Sequence, residues 1–209
     1  GYLLPWGQMS YWGAQVIVNL FAAIPFIGPD IAIWIRGDYV VSDATLNRFF
    51  AFHVIAVPLV LAGLVAAHLL ALHEVGSNNP DGIEIKKNKD PNTGIPLDGI
   101  PFHPYYTVKD IFGVAVFMFV FAVFVFFAPE FGGYFLEYNN FVAADPLRTP
   151  QHIAPVWYFT PYYSILRSIT INFFWVDAKV WGVIAMGVST MIFFLLPWLD
   201  RSPAKSIRY

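Results

Sequence analysis

Two histidines, His53 and His68, lie in a stretch from Phe49 to Leu72 that carries no formal charge. A titratable side chain within so apolar a run is costly to bury and marks a functional site by default. On an α-helix their spacing leaves them about 60° apart around the axis and about 22 Å apart along it. They look toward broadly the same side, one near each end of the stretch. Two flat cofactors stacked along one bundle, one near each membrane surface, need that arrangement. Neutral imidazole is a good ligand for haem iron. The chain has no cysteine, which removes disulfides, zinc–thiolate sites and iron–sulfur ligation by this chain. A single histidine in such a helix is equally well read as an interhelical hydrogen-bonding residue. The pair on one side favours a cofactor. Neither can complete a bis-histidine site alone, so each partner must come from another helix. His73 is about 140° around the helix from His68 and should not share its ligand. His103 and His152 fall in loops.

The element that carries these histidines must cross a membrane. The 209 residues are 57% hydrophobic and only 12% charged, with a net charge of −2. A soluble domain usually carries about twice that charged fraction. Nothing in the charge suggests nucleic acid as a partner. Phe49–Leu72 would be about 36 Å long as a helix, enough to cross a hydrocarbon core of about 30 Å with some tilt. Ile111–Ala128 and Val180–Leu199 are two further candidate spans. The expected fold is therefore all-α, a transmembrane helical bundle. Tyr11–Phe26 is apolar but carries Gln15 and Asn19 on one stripe, which suits an amphipathic helix on the membrane surface. Gly28-Pro29-Asp30 is expected to end it. Pro58 should kink the first span by removing the hydrogen bond to the Val54 carbonyl. Residues 74–110 form a polar loop, and residues 129–170 a Pro- and aromatic-rich one expected to fold back onto the membrane.

Basic residues suggest an orientation. Lys86, Lys87, Lys89 and Lys109 in the polar loop share a side with Arg201, Lys205 and Arg208 in the tail. Arg36, Arg48, Arg148, Arg167 and Lys179 lie on the other. The modest bias places the loop and the tail in the cytoplasm. The chain opens on Gly1 with no signal-peptide pattern and reads as an internal piece of a longer protein.

Several motifs match a known family. They are Gly-Tyr-Leu-Leu-Pro-Trp-Gly-Gln-Met-Ser (1–10), Arg-Phe-Phe-Ala-Phe-His (48–53) and His-Glu-Val-Gly-Ser-Asn-Asn-Pro (73–80). Pro-Phe-His-Pro-Tyr-Tyr-Thr-Val-Lys-Asp (101–110) and Thr-Pro-Gln-His-Ile-Ala-Pro-Val-Trp-Tyr-Phe (149–159) complete the set. In order and spacing the chain resembles cytochrome b of bacterial quinol–cytochrome c reductases over essentially its whole length.

The resemblance implies the end of the third transmembrane helix and then the fourth to sixth, with surface helices between. Residues 1–75 would be the haem-binding part, 76–110 a cytoplasmic loop, and 111–209 the start of the C-terminal region. It implies two b-type haems. His53 would ligate the low-potential haem iron near the outer surface, and His68 the high-potential haem iron near the cytoplasm. Arg48 would approach a haem propionate, as a cation beside a carboxylate should. An outer quinol-oxidising site maps onto Tyr2, Gly13, Ile17, Pro155, Trp157, Tyr158 and Tyr163, with Gly13 letting a quinone ring approach the backbone. An inner quinone-reducing site maps onto His73, Ser77, Lys109 and Asp110. Read without the family, Gly13 fits helix packing as well, and Lys109 with Asp110 reads as an interfacial pair.

The implied partners are a Rieske iron–sulfur protein, a membrane-anchored cytochrome c subunit, a second cytochrome b in a homodimer, and membrane lipid. The implied location is the bacterial cytoplasmic membrane. Quinol oxidation would send one electron to the iron–sulfur protein. The other would cross past His53 and His68 to quinone near His73 and Asp110, coupled to proton translocation. The chain departs from the family in three places. Val156 stands where most members carry a glutamate thought to accept the quinol proton; Tyr163 and His152 are the substitutes considered. The helix histidines are one residue further apart than in mitochondrial members, as in the plastid type. Residues 81–100 form a longer loop. Two other readings are a plastid-type dihaem complex and a haem-free helical transporter whose histidines relay protons.

Overall fold

A computed structural model describes residues 1–77, 79–204 and 206. Asn78 of the 73–80 motif, and Lys205 and Arg208 of the basic tail, lie outside the described residues. The named secondary-structure elements among the described residues are all helical. Two compact units form: Gly1–Gly63 with Glu130–Asp200, and Leu64–Pro129 with Arg201–Tyr209.

The first unit opens on α1, Gln8–Phe21, and α2, Gly28–Arg36. Gly28-Pro29-Asp30 thus begins a helix instead of only ending one. Proline has no N–H to lose in a first turn, and Asp30 faces the positive end of the helix. Helix α1 stops at Phe21, short of the expected Phe26. Gln15, expected on a polar stripe, has its Oε1 buried without a partner.

Gly37, at φ 73°, closes α2 in the left-handed conformation that glycine adopts without cost. Thr45 then ties the next helix to this one. Its Oγ1 donates to the Arg36 carbonyl at 2.7 Å and accepts from the Ser42 N–H at 3.1 Å. Helix α3, Asp43–Ala51, continues through a π-helical turn, Phe52–Ala56, into α4, Val57–Val75. The whole apolar stretch Asp43–Val75 is helical. The π turn holds His53, and the Val57 N–H donates to the Phe52 carbonyl five residues back. Such a turn takes one additional residue into a helix without breaking it. The helix beyond it keeps the register a one-residue-shorter spacing would have.

The segment after Glu130 is clamped onto the start of α1. The Gln8 N–H donates to the Val142 carbonyl at 2.9 Å, and the Ala144 N–H to the Trp6 carbonyl at 3.2 Å. The Gln8 side chain donates to the Arg148 carbonyl and accepts from the Asp145 N–H, both at 2.9 Å. Trp12 Nε1 donates to the Asp145 carbonyl at 3.2 Å. Leu3, Tyr11 and Val41 form the small buried core beside these contacts, flanked by Trp6, Trp12 and Phe49. Two further helices follow, α6, Thr160–Ser168, and α7, Ala178–Leu199. They meet so closely that a β-carbon on Gly182 would lie 2.3 Å from the Leu166 carbonyl oxygen.

The second unit holds the remainder of α4, the polar loop and α5, Tyr105–Phe127. Helix α5 starts six residues before the apolar run expected from Ile111, so Lys109 and Asp110 are helical. Lys86 Nζ donates to the Glu74 carbonyl, which caps the end of α4 with a cation. Helices α4 and α5 bury none of their side chains, and α7 buries only Gly182. All three are long and apolar enough to cross a bilayer. Their exposed Phe, Leu and Val side chains are compatible with lipid, not with water.

Candidate functional site

The clamp on α1 returns the chain to the first helix from more than a hundred residues away. Residues 153–166 then complete a cavity whose other wall is the N-terminal segment and α1. Its volume is about 350 Å³. Tyr2, Gly13, Ile17, Pro155, Tyr158 and Tyr163 all line it, together with Val156. Trp157 does not. The 3-10 turn Trp157–Phe159 leaves its ring exposed, edge-on to Tyr158 with ring centroids 5.6 Å apart. Met9, Phe159 and Leu166 are lining residues that sequence reasoning missed. The first lies one turn before Gly13 on α1, a spacing that helical periodicity could have exposed.

Gly13 works by what it lacks. A β-carbon there would sit 3.5 Å from the Tyr2 ring, in ordinary contact, and anything longer would reach into the cavity. The Tyr2 hydroxyl is buried and has no hydrogen-bond partner. Burial pushes its pKa above the usual value of 10.0, and the charge of Glu137 and then Tyr158 push it further. Tyr163 is engaged instead: its hydroxyl accepts from Arg167 Nη1 at 3.0 Å, and the guanidinium lies 5.7 Å from its ring centroid. That hydroxyl contact raises the Arg167 pKa. His152 is exposed and lies outside the cavity lining.

The two span histidines occupy different local settings. His53 sits in the π turn, and a β-carbon on Gly1 would come within 3.1 Å of its Cε1. His68 lies in regular α4. Both are exposed. Arg48 Nη1 donates to the Trp34 carbonyl at 2.6 Å, and its guanidinium edges an apolar groove of about 500 Å³ with Phe49, Phe52 and Ile17.

Of the four residues expected at an inner site, His73 is on the last turn of α4 and Ser77 follows it. Lys109 and Asp110 are in α5. No hydrogen bond or ion pair joins the two pairs among the described residues. Lys109 Nζ lies 5.5 Å from the Tyr106 ring centroid. Ser77 borders a small recess with Lys86.

Residues 1–161 match the family model described as "Cytochrome b(N-terminal)/b6/petB", and residues 143–209 match "Cytochrome b(C-terminal)/b6/petD". The chain belongs to the cytochrome b family. It is similar to "Cytochrome b" of Allochromatium vinosum, with 61% identity over 212 residues, covering 100% of this chain and 50% of that protein. "Cytochrome b" of Rickettsia prowazekii is 51% identical over 209 residues, covering 100% of this chain and 48% of that one. Among solved structures it resembles a chain of "Hyperthermophilic respiratory Complex III". There the TM-score is 0.81 and the identity 42%, covering 100% of this chain and 51% of that one. The chain spans about half the length of the curated relatives it matches. Membership in the cytochrome b family accounts for an all-helical architecture with three spans. It also makes b-type haem the cofactor class against which the histidines are judged.

Proposed function

We propose that this chain is the haem-bearing and quinol-oxidising half of the cytochrome b of a bacterial quinol–cytochrome c reductase, coupled to proton translocation in respiration. One observation supports the reading above others. Six residues separated by up to 161 positions, from Tyr2 to Tyr163, line one largely apolar cavity. Few polar groups set in an apolar recess is the pattern of a small-molecule site.

The histidines fit haem by their chemistry. Each is an exposed imidazole with no hydrogen bond among the described residues, in a chain without thiolates. His53 would hold the low-potential haem and His68 the high-potential one, each opposite a histidine of another helix, with Arg48 toward a propionate. When bound, the two haems supply a one-electron path across the membrane.

The chain's own residues do the rest. Tyr2, protonated below its raised pKa, presents an uncharged aromatic ring to the cavity. Gly13 keeps the cavity wall free of a side chain beside the Tyr2 ring. Ile17 and Pro155 exclude water, and Tyr158 lies beside the motif valine, which cannot take a proton. On the other side, His73, Ser77, Lys109 and Asp110 would bind quinone and deliver protons. Residues 1–75 would form the haem-binding part, 76–110 a loop and 111–209 the start of the C-terminal region. The loop and the tail would be cytoplasmic in a multi-pass protein of the bacterial cytoplasmic membrane. The partners would be a Rieske iron–sulfur protein, a membrane-anchored cytochrome c subunit and a second cytochrome b.

Reduced-minus-oxidised spectra of the parent complex test this. Two b-type bands of different midpoint potential are expected, with one lost in His53→Leu and the other in His68→Leu. If either replacement leaves both bands intact, the reading fails.

A further inference from the structure

Whether a hydroxyl beside a ligand gives or receives a hydrogen bond depends on what else holds its oxygen. A phenol has one hydrogen to give and lone pairs to receive, whereas a guanidinium only gives. Tyr163 lines the cavity, and its oxygen receives Arg167 Nη1 at 3.0 Å. The guanidinium carbon lies 5.7 Å from the centroid of the same ring. Among the described residues nothing receives the Tyr163 O–H. The other two phenols of the lining are placed differently. The Tyr2 hydroxyl is buried, and Tyr158 is exposed with its ring edge-on to Trp157.

Tyr163 and Arg167 sit one turn apart on α6, on one face of that helix. The helix is held from two sides. Gly182 of α7 packs against the Leu166 carbonyl, and Ser168 Oγ donates to the Ile165 carbonyl at 2.7 Å in the last turn. Arg167 also stands at the negative end of α6, where a cation is favourable in any helix. An exposed pair at this spacing would contribute little by itself. What sets this pair apart is where the phenol hydrogen is left: on a residue of the cavity wall, without an acceptor from the described residues.

We propose that Arg167 is a positioning residue that fixes Tyr163 as a hydrogen-bond donor toward an oxygen of the bound quinone or quinol. This rests on the quinol-site reading above. Arg167 is not itself a lining residue and acts through the phenol. With its oxygen engaged, Tyr163 meets a ligand through its O–H. A quinone carbonyl can only accept a hydrogen bond, while a quinol hydroxyl can also give one. The arrangement therefore favours the oxidised form over the reduced one. Without Arg167 the phenol turns freely and the preference narrows.

Product inhibition in the intact complex tests this. Arg167→Met should raise the inhibition constant of the assay quinol's own quinone about fivefold, with a smaller rise in quinol KM and both haem bands in place. Arg167→Lys keeps a cationic donor and should stay close to the parent. Tyr163→Phe should give the same rise as Arg167→Met, and combining the two should add nothing further. If Arg167→Met has its full effect in the Tyr163→Phe background, Arg167 acts through the helix end and the proposal fails. It fails equally if Arg167→Met leaves the inhibition constant unchanged, or raises quinol KM by the same factor. Gly13→Val separates the two readings. If it blocks quinol oxidation while Arg167→Met changes nothing, only the role of Arg167 is wrong. If Gly13→Val has no effect, the cavity is not the quinol site and the proposal falls with it.

Discussion

Asn140 and Ser10 hold each other by two reciprocal hydrogen bonds, Ser10 N–H to Asn140 Oδ1 and Asn140 Nδ2 to Ser10 Oγ, both 2.9 Å and buried. The Ser10 N–H is one of the donors that the first turn of any helix leaves without an internal partner. Asn140 caps it from 130 residues away and at the same time fixes the segment that leads to the cavity. Gly7 completes the contact: a β-carbon there would stand 2.0 Å from the Asn140 carbonyl oxygen.

Asn140→Ala should therefore cost about 2–4 kcal/mol, since two buried hydrogen bonds go and the Ser10 groups stay unsatisfied. Quinol oxidation should suffer more than haem binding, because the cavity wall loosens while the spans persist. Thermal unfolding followed by haem absorbance, set beside quinol turnover, checks this. Equal loss of both would show that the clamp does not serve the cavity.

Gly182 and Gly187 give a paired comparison on α7. A β-carbon on Gly182 meets the Leu166 carbonyl at 2.3 Å, whereas one on Gly187 meets nothing within 4 Å. Gly182→Ala should lower the melting temperature measurably by forcing α6 away. Gly187→Ala should be neutral or stabilising, as alanine favours a helix over glycine by about 1 kcal/mol.

The raised Tyr2 pKa sets an alkaline limit. Its folded value lies above 10.0, chiefly through burial and then through Glu137 and Tyr158. The folded state therefore holds this proton more tightly than the unfolded chain. The resulting stability is complete below pH 10 and is lost as pH rises through the raised value. Melting temperatures between pH 9 and 11 should fall less steeply in Tyr2→Phe than in the parent. Identical slopes would contradict the assignment.

Deleting Ala56 should convert the π turn at Phe52–Ala56 to regular α-helix, because the residue it accommodates is gone. Under the proposed haem assignment both bands should persist in the parent complex, with the band assigned to His53 shifted most because His53 lies in the turn. Loss of the His68 band would mean that the turn does not protect the register beyond it.

Much of this was legible from side-chain chemistry alone. The absence of charge from Phe49 to Leu72 announced a membrane-crossing helix, and the structure has a continuous helix there. The helix expected from Tyr11 and the other two spans emerged within six residues of their expected bounds. Boundaries slipped where backbone chemistry has two readings. Gly-Pro-Asp, expected to end the first helix, instead starts the second, the first having stopped at Phe21, and Pro58 permits a π turn as readily as a kink.

The sequence by itself determined that the chain has three helices apolar and long enough to cross a membrane and that it offers no thiolate, because charge content, helical length and the lack of cysteine are local properties. Tertiary structure alone decided which aromatic groups share a cavity. Trp157 and Tyr158 are neighbours in the chain, yet one lies outside the lining and the other within it, since a 3-10 turn parts them. Glu137 gave no signal in its own neighbourhood. Its charge acts on Tyr2 only because Asn140 folds that segment back onto α1, a long-range contact that no local pattern encodes.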